Sequence, residues 1–221
     1  KDLGDVYRIK IDLHGLPRSL KDNDQILAQT LAGGPFVLGT IFHFDELKKG
    51  SDRCVLHPVK SSYINDDVNQ NAHTEIPVST GVLCNLPMLS DKVSSSGFFN
   101  FSPDSDGVLR RLPMLIQYHG QLYPNLALAT VLKLKNENHV ILKKDRNHLQ
   151  SIHYRGNAVP VDRHGQMLIK FRSSAQKYEY VSAADILDNN VSPERLRGRI
   201  VFVGTSAVGL KELLNTPLGP V

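Results

Sequence analysis

The chain has 221 residues, of which 41% are hydrophobic and 22% are charged, and Trp is absent. A chain of this length suits one globular domain, and it can bury enough surface to fold without disulfide bonds. Its formal net charge of +4 is small and its basic residues are scattered, so the composition gives no support to nucleic-acid binding. No apolar run approaches the length that crosses a bilayer.

The first third of the chain predicts one helix and one strand. Residues 1–21 alternate apolar and polar side chains only in part, so they are interpreted as an N-terminal arm. Asp22 and Gln25 resemble a capping box that begins a helix, and the glycine pair at 33–34 ends it. Residues 36–44 predict a strand, and the polar residues 46–80 predict a long irregular stretch.

The middle of the chain predicts a β-hairpin. Residues 98–101 and 108–118 are strand candidates, and residues 103–107 between them have the composition of a tight turn. Pro presets φ, Asp bonds its own backbone, and Gly tolerates a positive φ.

Charged residues cluster at this turn. Asp104, Asp106 and Gly107 are explained by turn chemistry, which is preferred over a cation site formed by the two carboxylates. Arg110 and Arg111 follow, and they can pair with these carboxylates or bind an anion. Both alternatives for the arginines stay open.

The second half of the chain mixes helices and short strands. A helix is predicted from Pro124, which suits a first helical turn, and another over 182–187 behind a serine N-cap. Residues 140–142 and 157–161 predict edge-like strands, since the second contains a proline that cannot donate to a ladder. This order predicts an α/β fold in a single domain, with a mixed parallel and antiparallel central sheet flanked by helices.

Residues 200–203 are the apolar run around which this prediction is organised. Four consecutive apolar residues before a glycine predict a strand buried on both faces. In an open α/β sheet, a pocket is typical at the carboxyl end of such a strand. Turn formation and sheet packing are the competing interpretation of the glycines. The predicted ligand-binding residues are Arg110, Arg111, Gly204, Thr205, Ser206, Gly209 and Glu212.

No catalytic pattern is complete. Leu210 separates Gly209 from Lys211, and Glu212 replaces the hydroxyl residue, so the glycine-rich segment is not a Walker loop. The G-x-S-x-G elbow, the kinase motifs and the dinucleotide fingerprint do not occur. The sequence predicts no enzymatic activity and no cofactor.

Metal and thiol chemistry are also weakly supported. His43 and Asp45 share one strand face, but no third ligand is nearby, so a histidine at a strand edge is preferred. No metal is predicted. Cys54 and Cys84 lie 30 residues apart without metal-binding spacing. Two separate thiols are favoured, and a structural disulfide stays open.

Three motifs in order suggest a family. They are D-x-D-G-V-x-R-R, Y-P-x-L-A, and G-[KR]-I-V-x-V-G-x-[ST] followed by T-P. On these motifs residues 22–221 resemble a CHASE2 domain, the extracytoplasmic sensor of bacterial transmembrane receptors. The matching residues are Asp104, Asp106, Gly107, Arg110 and Arg111; then Pro124, Leu126 and Ala127; then Gly198, Ile200, Val201, Val203, Gly204, Thr205, Thr216 and Pro217.

The resemblance implies a sensory domain in an extracytoplasmic (periplasmic) loop of an inner-membrane protein, without nucleic acid as a partner. It implies flanking membrane helices, an unknown small-molecule or envelope signal, a homodimer, and a parent receptor with a cyclase or kinase output. The absence of an initiator Met at Lys1 and the abrupt stop at Val221 suggest that the domain is incomplete at one or both ends. Two other classes remain, an intracellular α/β nucleotide-binding enzyme domain and a periplasmic solute-binding protein.

Overall fold

The structure is a computed structural model, and it describes residues 22–45, 54–65, 75–145, 148–172, 178–205 and 214–220. The chain divides into two compact units. Unit 1 comprises Lys1–Phe101 and Leu112–Met167, and unit 2 comprises Ser102–Arg111 and Leu168–Val221. The predicted arm 1–21 lies outside the described residues, as do 46–53 and 66–74 of the stretch expected to be irregular.

Short helices and strands alternate along the described chain. The helices are α1 Asn23–Ala32, α2 Pro87–Ser90, α3 Leu126–Leu134 and α4 Ala183–Leu187, with a 3₁₀ turn at Pro193–Arg195. The strands are β1 Leu38–His43, β2 Lys60–Asn65, β3 Gly81–Leu83, β4 Ser96–Phe98, β5 Arg111–Pro113, β6 Leu115–Tyr118, β7 Gln121–Pro124, β8 His139–Asp145, β9 His148–Tyr154, β10 Asn157–Pro160, β11 Gln166–Leu168, β12 Asn215–Thr216 and β13 Gly219–Pro220. The predicted α/β class with mixed sheets is confirmed.

The first sheet of unit 1 has the order β3-β1-β4. Strand β1 pairs antiparallel with β3 and parallel with β4, where Leu38 lies opposite Ser96. The hairpin predicted from residues 98–101 and 108–118 is therefore wrong, because β4 pairs with β1. A turn can be predicted from local composition. Which strand pairs with the residues beside the turn depends on segments far away along the chain.

The second sheet has the order β10-β9-β8-β2. Strand β8 alternates inward and outward residues, with Val140 and Leu142 fully buried. The prediction that 140–142 forms an edge strand is wrong, because β2 pairs parallel with it and β9 pairs antiparallel on its other side. Strand β10 does lie at the edge, where Pro160 is tolerated.

A β-hairpin and helix α3 cover these sheets. Strands β6 and β7 are joined by His119 and Gly120, which have φ values of 47° and 75°. Helix α3 begins after Asn125, whose side chain accepts a hydrogen bond from the Leu128 N–H. Pro124 is thus the last residue of β7 and does not lie in the first helical turn. Leu128, Ala129 and Leu132 of α3 are buried, and the two leucines belong to a core cluster with β6, β8 and β9.

Unit 2 contains α4, β12 and β13 among its described residues. Ser182 caps α4 by accepting from the Ala184 N–H, as the sequence predicts. The strand predicted at 200–203 is absent, and the predicted burial on both faces is wrong, since these side chains are 51–95% exposed: Ile200, Val201, Phe202 and Val203. An apolar run indicates strand propensity but does not specify a pairing partner or a covering layer.

No helix within the described ranges is long and apolar enough to cross a membrane.

Candidate functional site

The turn at residues 103–107 forms as predicted. The Asp104 N–H donates to the Val108 carbonyl at 3.0 Å, and the Gly107 N–H donates to the Asp104 carbonyl at 2.8 Å. Gly107 has φ +78°, a left-handed conformation that favours glycine. The Val108 N–H donates to Asp106 Oδ1 at 3.1 Å. These bonds account for Asp104, Asp106 and Gly107 as turn residues.

Both arginines pair with the turn carboxylates. Arg110 donates to both oxygens of Asp106 at 2.8 and 2.7 Å and to Asp104 Oδ2 at 3.1 Å. Arg111 donates to Asp104 Oδ1 at 3.2 Å. The Arg110 guanidinium and the Val108 N–H lower the pKa of Asp106 to about 2, and the two carboxylates raise the pKa of Arg110. The structure therefore shows the first alternative, in which the arginines pair with the turn carboxylates. Ligand binding by the arginines stays a prediction.

The same turn contacts the last of the three motifs within unit 2. The Leu109 N–H donates to the Asn215 carbonyl at 2.8 Å, and Val108 and Asn215 form a parallel bridge. Thr216 is buried, and its hydroxyl donates to the Gly219 carbonyl at 2.6 Å. The first and third family motifs therefore meet through main-chain contacts, and they form a structural unit.

Of the remaining predicted ligand residues, the structure describes Gly204 and Thr205. Gly204 and Thr205 are exposed and lie in no helix or strand. A Cβ added at Gly204 would meet nothing within 4 Å, so the local packing does not require glycine there. Ser206, Gly209 and Glu212 lie outside the described residues.

Unit 1 contains a cleft of about 350 Å³ that the sequence did not predict. It is lined by residues 57–59 before β2, by Ser94 and Ser95 before β4, by Pro124, and by α3 with the turn that follows it. Its floor is apolar, since Val59, Ala129 and Leu132 are buried there. Polar side chains lie at the rim. The lining therefore combines buried apolar residues with several polar and charged side chains, which could orient a small molecule.

Two basic residues contribute to the cleft. His57 Nδ1 lies 3.0 Å from the Ser96 hydroxyl, and the ring also bonds the Val93 carbonyl. Burial lowers the pKa of His57, so the imidazole is neutral at pH 7. Lys133 Nζ donates to the Ser94 hydroxyl at 2.5 Å.

Glu137 is the acidic residue of the cleft. Its Oε1 accepts from the N–H groups of Asn138 and His139 at 3.0 and 3.1 Å, and its Oε2 lies 3.5 Å from Arg155 Nε. These donors lower its pKa. The Glu137 carboxylate is therefore ionised, and the two N–H groups and Arg155 balance its negative charge.

Local sequence reasoning had no signal for this cleft. Lys133 is one of the scattered basic residues, and His57 lies in the stretch predicted to be irregular. The lining segments come from distant parts of the chain, since Lys133 bonds Ser94 across 39 positions and His57 bonds Ser96 across 39.

Neither metal site considered from the sequence gains a further ligand in the part of the chain that the structure describes. The Thr80 hydroxyl bonds the carbonyls of His43 and Asp45, so these residues are held by their main chain. Across the described residues, no group of three His, Cys, Asp or Glu side chains is placed to hold a metal ion.

Cys54 and Cys84 form a disulfide, with their Cα atoms 5.7 Å apart. The favoured interpretation of two separate thiols is wrong. The pair packs against an aromatic cluster that includes Phe42, Phe98 and Tyr118. Spacing along the chain cannot show this pairing, because β3 brings Cys84 beside the segment before β2 only after the sheet forms.

Comparison with known proteins identifies a family. The model of the CHASE2 domain family matches residues 5–221. The match takes in most of the segment 1–21 as well as both units. No curated protein matches the chain. No solved structure matches it.

Proposed function

Because this chain belongs to the CHASE2 domain family, whose members are extracellular sensor domains of bacterial receptors, we propose that it receives a signal outside the cytoplasmic membrane and relays it to a cytoplasmic output module. The single observation that carries this proposal is the family match over residues 5–221. The output module is a nucleotide cyclase or a kinase of the parent receptor. The domain itself makes and breaks no bonds in this scheme.

The Cys54–Cys84 disulfide supports an extracytoplasmic location. Structural disulfides persist in the periplasm and at cell surfaces, whereas cytoplasmic thiols are kept reduced. The pair closes a 30-residue separation beside a packed aromatic cluster, which is the setting of a structural bond. An intracellular nucleotide-binding enzyme domain would not retain it.

Signal transfer then follows from a population shift. A ligand that binds one receptor conformation more tightly than another moves the equilibrium by its differential affinity. We also propose that the domain works as a homodimer within the paired receptor. Crosslinking of the parent protein in membranes with a bifunctional amine reagent would then give a dimer band. A parent that stays monomeric under crosslinking would remove the homodimer.

The gene around the domain provides the sharpest test of the proposed function. A hydrophobic helix encoded before Lys1 and several encoded after Val221, followed by a cyclase or kinase module, are the expected result. A parent reading frame that encodes only soluble protein on both sides would overturn the proposal. This test is independent of any ligand.

A further inference from the structure

We propose that the cleft of unit 1 is the ligand pocket of this sensor and that it takes a small organic carboxylate, held by the Lys133 ammonium above an apolar floor. This inference rests on the proposed function, because it names the chemical class of the signal. It does not involve the residues predicted from the sequence at the turn and at Gly204.

The size and the floor of the cleft favour a short hydrocarbon body. A volume of about 350 Å³ lies at the lower end of small-molecule sites. Ala129 is 1% exposed and Leu132 is 4% exposed, and both belong to the cleft wall. The chain already shields both side chains from water, so a short hydrocarbon body would gain van der Waals contact with this wall.

The charge of the cleft favours an anion. Lys133 bonds the neutral Ser94 hydroxyl and forms no ion pair within the described part of the chain. An ammonium has three donors, so two remain for a ligand. Glu137 is already neutralised by two N–H groups and by Arg155, so it offers little to a ligand ammonium.

The surrounding groups position this cation. The His57 ring bonds the Ser96 hydroxyl and the Val93 carbonyl, and these contacts fix the segment that carries Ser94 and Ser95. The neutral imidazole adds no second positive charge at pH 7. A single fixed cation with serine hydroxyls beside it matches one carboxylate better than a doubly charged phosphate.

Titration of the 221-residue protein with three compounds of equal length tests the proposal. Butyrate, butylamine and butanamide each have a chain of four carbons and differ in the charge of the head group. Backbone amide shifts of Ser94, Ser95 and Asn138 report on the cleft by NMR. Butyrate is expected to shift them, and butylamine is expected to leave them unchanged. Butanamide is expected to bind at least about tenfold more weakly than butyrate, because it lacks the charge.

Matched variants separate the pocket from the general surface. Lys133→Met is expected to weaken butyrate binding at least about tenfold, since a charge-assisted hydrogen bond is lost. Lys135→Met, an exposed position at the end of the same helix outside the cleft, is expected to bind as the wild type does. Ser94→Ala leaves the cation in place and tests the exposed hydroxyl with little risk to folding. Its expected loss is smaller than that of Lys133→Met.

Several results would overturn the carboxylate pocket. They are equal binding of butylamine, wild-type binding by Lys133→Met, or no amide shifts up to about 10 mM butyrate, a range that reaches weaker than millimolar affinity. Tighter binding of inorganic phosphate, abolished by Lys133→Met, would replace the carboxylate by a phosphate. None of these results touches the gene test of the proposed function, so the two failures are distinguishable.

Discussion

Asn100 shows how one polar side chain extends a sheet beyond its last paired residue. Its Nδ2 donates to the Phe42 carbonyl and its Oδ1 accepts from the Phe42 N–H, both at 2.8 Å. The parallel pairing of β1 with β4 ends at Thr40 and Phe98. Beyond that point, the Asn100 side-chain amide makes the hydrogen bonds to β1 that a main chain of β4 would otherwise make. Phe42 is only 2% exposed, so these main-chain groups would otherwise lie buried without partners.

At the turn of unit 2, Arg110→Gln is expected to raise the pKa of Asp106 from about 2 toward its ordinary 3.8. The rise is partial, because the Val108 N–H still bonds the carboxylate. A folded pKa below the ordinary value means that Asp106 stabilises the fold above pH 3.8, and this contribution is lost as the pH falls toward 2. Carboxyl-detected NMR titration measures the change.

Arg111→Gln is the control for this prediction, because Arg111 bonds Asp104 and not Asp106. It should leave the Asp106 titration near its wild-type position. An unchanged Asp106 pKa in Arg110→Gln would show that the bidentate pair does not form in solution.

Gly97 allows a close approach between β4 and the start of α3. A Cβ there would lie 2.6 Å from Leu126 Cα and 2.8 Å from the Asn125 carbonyl atoms. Because these are main-chain atoms, they cannot move aside cheaply, and Gly97→Ala should lower the free energy of unfolding by about 1–3 kcal/mol. Urea unfolding measures this.

Gly204→Ala is the control. A Cβ at Gly204 meets nothing within 4 Å, so this variant should change the free energy of unfolding by less than about 0.5 kcal/mol. Equal losses of stability in the two variants would refute the packing argument.

At the scale of elements, α3 connects the core of unit 1 to the cleft. Its N-cap Asn125 is 6% exposed, and its Nδ2 donates to the Pro113 carbonyl at 2.9 Å. The Asn125 N–H donates to the Met114 carbonyl at 3.0 Å. One residue therefore begins the helix and fixes it to the β5–β6 segment, while the other end of the helix carries Lys133.

Asn125→Ala should lower the free energy of unfolding by about 1–3 kcal/mol, because the helix loses its cap and the half-buried Pro113 carbonyl loses its side-chain donor. Urea unfolding provides the measurement. Ser182→Ala removes the comparable cap of α4, a five-residue helix without buried residues, and should cost less. A larger loss for Ser182→Ala than for Asn125→Ala would contradict this account of the helix.

The sequence predicts elements whose signals are local. The Asp22 cap of α1, strand β1, the turn at 103–107 and the Ser182 cap all form as expected. Features that depend on distant partners were missed: the pairing of β4 with β1, the inner position of β8, the disulfide and the cleft. The predicted burial of residues 200–203 is wrong for the same reason. A run of apolar residues does not specify which other element packs over it.

At the scale of the whole molecule, the family match and the disulfide lead to the same conclusion by separate routes. The match places residues 5–221 in a family of extracellular sensor domains. The Cys54–Cys84 bond independently favours an oxidising compartment. The disulfide fixes the segment before β2, and this segment also contributes His57 and Val59 to the cleft. The oxidation state of the pair therefore also bears on the shape of the cleft.

The most direct measurement is the oxidation state of this pair in the parent receptor in living bacteria. Cells are quenched in acid, denatured, and labelled with a polymer-tagged maleimide before or after reduction, with a Cys54→Ser, Cys84→Ser double variant as the reference. An extracytoplasmic sensor predicts that the wild type gains two labels over this variant only after reduction. Two extra labels without reductant would place the domain in a reducing compartment and contradict the account.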